Sequence, residues 1–324
     1  MIEVRDLRMT YRAPIRDAGL KAALRTLVHR RYQDVKAVDD ITFDIQAGEV
    51  VGFIGPNGAG KTTTMKILSG ILHPTEGTVS VLGHVPWQRK TTFLRRIALV
   101  RGSQPIGGPV ELTVLDSLRY QQLLYDVSAK DFRDNLEELT DLLELAKLLP
   151  RQVRALSLGE RMRAGLAMTL LYKPDVLFLD EPTIGLDVSA AAIVRRFLKS
   201  YAERTGATIL LTSHYMGDVQ SLCPRLILID KGSLQYDGPI DALAAKLAPY
   251  KLIRVSAPDA KPDQVPQVGE VVEKDGTTWV IRVARDEVAH ATTRLLNELP
   301  IVDLAVEEPP LENVIDRVYR EGVA

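Results

Sequence analysis

The chain has 324 residues, 46% of them apolar, with 41 Lys and Arg against 42 Asp and Glu and a net charge of −1. That length allows one large domain and a smaller one, and the balanced charge excludes a global field drawing the protein to nucleic acid or anionic lipid. The single Cys223 excludes an intramolecular disulfide and a zinc site built on paired thiolates, and no apolar run approaches the ~18 residues of a membrane-spanning helix, so a chain soluble by itself in a reducing cytosol is expected.

An early strand carries Tyr11. The stretch LKAALRTLVHRRYQDVK, Leu20 to Lys36, then places Leu20, Leu24, Leu27 and Val28 on one helical stripe, with Lys21, Arg25, His29, Arg30 and Arg31 on the other side. A basic amphipathic helix there has three readings: a membrane surface, a nucleic-acid grip, or packing on a core with a solvated basic face.

GEVVGFIGPNGAGKTTT reads as a short apolar strand, Val50 to Ile54, then a glycine-rich loop and the start of a helix. Gly55, Gly60, Lys61 and Thr62 match G-x-x-x-x-G-K-[ST] in full, with Asn57, Gly58 and Thr63 completing the loop and the helix start. Glycines let successive backbone N–H groups converge on a phosphate, and the helix aims its positive end at the same anion. Lys61 would bridge β- and γ-oxygens, and the Thr62 hydroxyl would coordinate Mg²⁺.

Further on, Val176 to Leu179 is a continuously apolar strand of the buried parallel kind, ending in Asp180 and Glu181. Asp180 can hold Mg²⁺ through water, while Glu181 can polarise a water that attacks the γ-phosphate. ATP and Mg²⁺ are therefore the expected substrate and metal.

Three more stretches carry a family resemblance. RALSLGERMRAGLA, Arg154 to Ala167, resembles the signature motif of ATP-binding-cassette (ABC) ATPases, with Leu156, Ser157, Gly159 and Glu160 in its positions. TIGLD, ending at Asp187, is similar to the family's D-loop, and LTSHYMGDV places His214, after a strand from Thr208 to Leu211, at its switch histidine. Gln104, eight residues before Leu112, is similar to the Q-loop glutamine, and Tyr11 to the adenine-stacking aromatic. The resemblance spans roughly residues 2–245. It implies that Glu181, His214 and Gln104 act in catalysis, that Thr62, Gln104 and Asp180 serve the metal, and that Ser157 and Gly159, opening a helix from Arg161 onward, serve the ATP of a second cassette. Leu158 in place of a glycine, Glu160 in place of a glutamine, and Arg101-Gly102-Ser103 before Gln104 depart from the family pattern.

Those residues imply an α/β P-loop NTPase fold over residues 1–245, with a RecA-like core, an antiparallel β-subdomain, a helical subdomain at about 105–165 and a basic amphipathic insertion at 13–35. A composition shift after DGPIDALAAKL implies a small α+β accessory domain at 246–324. Its strands are expected in KLIRVS, EVVE, TWVIRV and IVDLAV, with helices at Val288 to Leu299 and in LENVIDRVYR. One cassette, without sustained heptads or cysteine clusters, favours a transporter motor over a soluble ABC ATPase acting on ribosomes or nucleic acid. The resemblance implies an exporter cassette that pairs with a separate permease and a second cassette at the cytoplasmic face of the membrane, with polysaccharide or teichoic-acid exporters as the neighbouring subgroup. The insertion at 13–35 is similar to one in those exporters, implying contact with membrane or permease.

Overall fold

The computed structural model of the chain describes residues 1–14, 32–258 and 267–321, which form two compact units, Met1–Asp237 and Gly238–Ala324. In the first unit a three-stranded antiparallel sheet pairs β1 (Ile2–Pro14) with β2 (Tyr32–Ile45) on one side and β4 (Glu76–Val81) on the other. Its buried residues, among them Ile2, Val4, Ile41 and Phe43, join one core with Phe53, Phe178 and Leu210 of the second sheet.

That second sheet has six strands in the order β5 (Ile97–Arg101), β6 (Val176–Asp180), β7 (Thr208–Thr212), β3 (Val50–Ile54), β8 (Arg225–Asp230) and β9 (Ser233–Pro239). The first five run parallel. Parallel strands covered on both faces need no polar alternation, which is why Val176 to Leu179 and all of Thr208–Thr212 are buried. β3 lies between β7 and β8 although it precedes both in the chain, so the crossovers leave a crevice at the carboxyl ends of β3, β6 and β7.

Helices flank this sheet: α1 (Lys61–Leu68), the one-turn α2 (Thr91–Leu94), α3 (Val114–Tyr125), α4 (Ala129–Leu142), α5 (Leu158–Leu170), α6 (Val188–Thr205) and α7 (Met216–Leu222). Polar caps start several of them. Thr113 accepts from the Asp116 N–H, Ser128 from the Asp131 N–H, and Asp187 from the Ala190 N–H.

Two local expectations are corrected. The helix expected over Leu20 to Lys36 does not extend to its end, because Tyr32–Lys36 belongs to β2, where Tyr32 pairs with Pro14 and Lys36 with Thr10; residues 15–31 lie outside the described residues. The antiparallel ladder with β1 takes up the backbone groups of Tyr32–Lys36 that face it, and helical spacing in the sequence carries no information about such a partner. The signature helix starts at Leu158 rather than at Arg161, because Ser157 is its N-cap and supplies the first turn with a side-chain acceptor.

The second unit contains α8 (Ile240–Leu247) and an antiparallel sheet in the order β11 (Glu270–Asp275), β12 (Thr278–Ala284), β10 (Tyr250–Ser256), β13 (Asp303–Glu307). Ile253, Val255, Trp279, Ile281 and Val283 pack against Ala291, Leu295 and Leu299, which come from α9 (Val288–Glu298) and the residue after it. A last helix, α10 (Leu311–Glu321), packs on α8.

Candidate active site

The glycine-rich loop follows β3 and leads into α1. Its backbone is confined on two sides: a Cβ at Gly60, whose φ is +105°, would collide with the Ala37 carbonyl, and one at Gly55 with the Ile229 carbonyl. Gly58, at φ +83°, faces open space, and Pro56, Asn57 and Gly58 are exposed, so the tip of the loop is accessible. Lys61 is buried and its Nζ donates to the carbonyls of Gly55 at 2.6 Å and Pro56 at 3.0 Å. Burial pushes its ammonium below the usual lysine range, while Glu181 and Asp180 pull it back up. The cation is thus held under the loop with two carboxylates nearby.

Thr62 and Asp180, far apart in sequence, meet across the crevice, the Thr62 hydroxyl donating to Asp180 Oδ2 at 3.1 Å. The neighbouring strand end adds Thr212, a fully buried residue whose hydroxyl donates to Asp180 Oδ1 at 2.8 Å and accepts from the Glu181 N–H at 3.1 Å. Glu181 itself sits at φ +56°, a left-handed conformation that only its surroundings sustain. It turns the carboxylate toward His214, whose Nε2 lies 2.9 Å from Glu181 Oε1. Mg²⁺ keeps most of its shell as water and phosphate oxygens and takes one or two protein oxygens, so a hydroxyl and a carboxylate side by side at a phosphate loop fit it.

Gln104 closes a turn that starts at the end of β5, its N–H donating to the Arg101 carbonyl at 3.0 Å. The turn lies against Asp180, since the Gly102 N–H donates to the Asp180 carbonyl at 2.8 Å. Tyr11 is an exposed residue of β1 opposite Val35. Thr63, half-buried, lies in the first turn of α1. The Asp187 carboxylate is engaged as the N-cap of α6.

Ser157, Gly159 and Glu160 stand at the start of α5. Among the described residues no hydrogen bond or ion pair joins them to Lys61, Thr62, Asp180, Glu181 or His214. Instead the helix start adjoins α6 and the loop before it: a Cβ at Gly159 would lie 2.8 Å from the Ala190 Cβ in the first turn of α6, and one at Gly185 would lie 3.0 Å from Leu158 Cδ2. The leucine that departs from the signature pattern therefore packs toward Gly185.

With the geometry in place, comparison with known proteins decides the family. A family model described as ABC transporter matches residues 38–184, and one described as EvrA-like ABC transporter, C-terminal domain, matches residues 249–307. The chain is 34% identical over 218 residues to the ABC transporter ATP-binding protein NatA of Bacillus subtilis (strain 168), covering 66% of this chain and 88% of that one. The chain belongs to the ABC transporter ATP-binding cassette family. The cassette is also 35% identical over 266 residues to the Nod factor export ATP-binding protein I of Burkholderia pseudomallei (strain 1710b), covering 82% of this chain and 86% of that protein. It matches a solved structure of the ATP-binding subunit of an ABC transporter with a TM-score of 0.62 at 26% identity, over 75% of this chain and 91% of that one. It is thus an ABC ATPase and the ATP-binding subunit of a transporter with exporter-like relatives. Among the described residues no helix is long and apolar enough to cross a membrane.

Three groups around the site of the cassette escaped sequence reasoning. Thr212 falls just past the strand expected from Thr208 to Leu211, and nothing local signals its bond to Asp180. Gly102 reads as a departure from pattern, yet a Cβ there would collide with the Glu181 carbonyl oxygen. Asp218 is fully buried and takes hydrogen bonds from Arg195 Nη1 at 2.8 Å, Ser213 Oγ at 3.0 Å and the Thr183 hydroxyl. It ties together the segment after β6, the helix α6 and the loop carrying His214. Its position four residues after a histidine, in a stretch whose neighbours Met216 and Val219 are apolar, was the available signal.

Proposed function

We propose that the cassette is the ATP-hydrolysing motor of an exporter, working as one of two cassettes bound to a separate membrane permease at the cytoplasmic face of the membrane. One observation carries the catalytic half of this reading. The ends of three strands bring together a buried lysine, the Thr62–Asp180 pair and the Glu181–His214 pair. In this arrangement the loop amides, with Gly55, Asn57, Gly58, Gly60 and Thr63, bind the phosphates, and Lys61 neutralises the β- and γ-oxygens. Mg²⁺ held by Thr62, Asp180 and Gln104 would supply charge neutralisation to the same oxygens. Glu181 polarises the attacking water as general base, while His214 orients the Glu181 carboxylate and contacts the γ-phosphate. Tyr11 stacks on the adenine.

Ser157, Gly159, Glu160 and Asp187 complete the site of a second cassette. Support comes from the helix start itself: the amides of Leu158 and Gly159 precede any helical carbonyl that could accept them, so they are donors for an anion from outside the chain. Closing of the two cassettes on ATP and their parting after hydrolysis would be the mechanical output. Export and a permease partner rest on the exporter-like relatives.

The test is a pull-down of the tagged Glu181→Gln chain with ATP and Mg²⁺ from detergent-solubilised membranes of its own host. A polytopic membrane protein in the eluate, dependent on ATP, is the expected result. Ribosomes or nucleic acid without a membrane protein would overturn the motor reading in favour of a soluble ABC ATPase.

A further inference from the structure

The helix α5 begins with an acid in the turn proposed to meet a phosphate. Ser157 is its N-cap, and Leu158, Gly159 and Glu160 are its first three residues. A carboxylate in this turn suits the positive end of the helix, but it also repels any anion that comes to the same amides. The structure deals with that carboxylate from two sides. The Ser157 N–H donates to Glu160 Oε2 at 2.8 Å while the Glu160 N–H donates to Ser157 Oγ at 3.3 Å, a complete capping box. Arg151 Nη1 then donates to Glu160 Oε1 at 2.6 Å, and its Nη2 donates to the Ala155 carbonyl at 2.6 Å. The arginine backbone is anchored as well, since its N–H donates to the Leu148 carbonyl and its own carbonyl accepts from the Val114 N–H.

Both Glu160 oxygens are therefore occupied on the side of the preceding turn. The Ser157 hydroxyl, which accepts from Glu160, still has its own proton to donate. We propose that Arg151 is a positioning residue for the signature: it neutralises Glu160 and keeps that carboxylate folded onto the Ser157 N–H, leaving the Ser157 hydroxyl and the amides of Leu158 and Gly159 to a terminal phosphate on a second cassette. The inference rests on the trans role given to the signature under the proposed function. It gives the Glu160 departure a physical account: a glutamine at this position could close the same capping box without a charge, so Arg151 is needed because the residue is a glutamate.

The experiment reads the effect of Arg151→Met on ATPase kcat/KM twice in the full chain, once with Glu160 native and once in a Glu160→Gln background, with Tm followed in all four proteins. In the native background a loss of about tenfold is expected, the size of one uncompensated charge several ångströms from a phosphate. In the Glu160→Gln background the loss should fall to about twofold or less, a coupling that a double-mutant cycle isolates. Equal losses in both backgrounds, or coupling seen in Tm and not in kcat/KM, overturn the inference, since an ion pair at the surface could give the second result. Ser157→Ala separates the two levels. If it leaves the kcat/KM of a folded chain unchanged, or if the native chain has no ATPase activity, the signature reading itself fails; if it lowers kcat/KM and Arg151→Met does not, the inference alone fails.

Discussion

His214 Nε2 lies 2.9 Å from Glu181 Oε1, although the two residues leave different strands. The contact needs the left-handed turn at Glu181, which the Thr212 hydroxyl and carbonyl hold through the Glu181 N–H. Glu181→Gln and His214→Ala should each lower kcat by roughly 10²–10⁴-fold, the usual worth of a positioned proton acceptor or its orienting partner. Nucleotide affinity, measured by equilibrium binding of a fluorescent ATP analogue, should change little. Unaltered turnover in Glu181→Gln would refute its role as base.

Thr212→Val removes a hydroxyl while keeping the shape of a fully buried side chain. Asp180 loses one donor, so stability should fall by about 1–2 kcal/mol in denaturant unfolding. With Asp180 less firmly oriented, the Mg²⁺ concentration for half-maximal ATPase should rise. An unchanged Mg²⁺ dependence would separate Thr212 from the metal site.

Gly102→Ala places a methyl group against the Glu181 carbonyl, a neighbour that cannot turn aside without moving the end of β6. A shift of an ångström at a reacting group costs on the order of 10²-fold in rate, and a loss of that order is expected in steady-state ATPase. The Gly165→Ala change makes a related test. Its Cβ would collide with the Pro105 carbonyl, so the segment after Gln104 would be pushed off α5.

Asp218→Ala removes the buried acid that Arg195, Ser213 and Thr183 share. Breaking one partner of such a group leaves an uncompensated cation and costs about 3–5 kcal/mol. Calorimetry should show a lower Tm. Addition of ATP should recover less of it than in the native chain, because the loop carrying His214 is loosened.

Acidification should weaken the start of α5. The Ser157 N–H, and then Arg151, hold the Glu160 carboxyl below its ordinary 4.5 against the opposing effect of burial. A depressed folded-state pKa contributes stability that is complete above the unfolded value and is lost as pH falls through the folded one. The stability advantage of the native chain over Glu160→Gln should therefore be constant down to about pH 5 and shrink below about pH 4.5. A gap in Tm that does not close on acidification would show that Glu160 is not held in its charged form.

Much of this site is legible in one dimension because its chemistry is local. The phosphate binding proposed for the glycine loop calls for consecutive amides, so Gly55 to Thr63 spell out its pattern, whereas the capping box of Ser157 and Glu160 emerged only with the helix start at Leu158. The basic stripe at Leu20 to Lys36 misled at its end for the converse reason: helical spacing says nothing about a strand partner, and Tyr32–Lys36 finds one in β1.

The sequence by itself carried the family resemblance, the glycine-loop pattern, the acidic strand end and the composition shift after DGPIDALAAKL, since each is written in contiguous residues or in regular spacing. Only the tertiary structure decided that Thr212 would hold Asp180, that Gly102 would admit no side chain beside Glu181, that Asp218 would be the buried tie beneath the switch loop, and that Arg151 would face Glu160. Strand order is set by crossover connections, and these bring together groups separated by tens of residues. An apolar run specifies that a strand is buried, but its neighbour is chosen by the packing of the whole sheet.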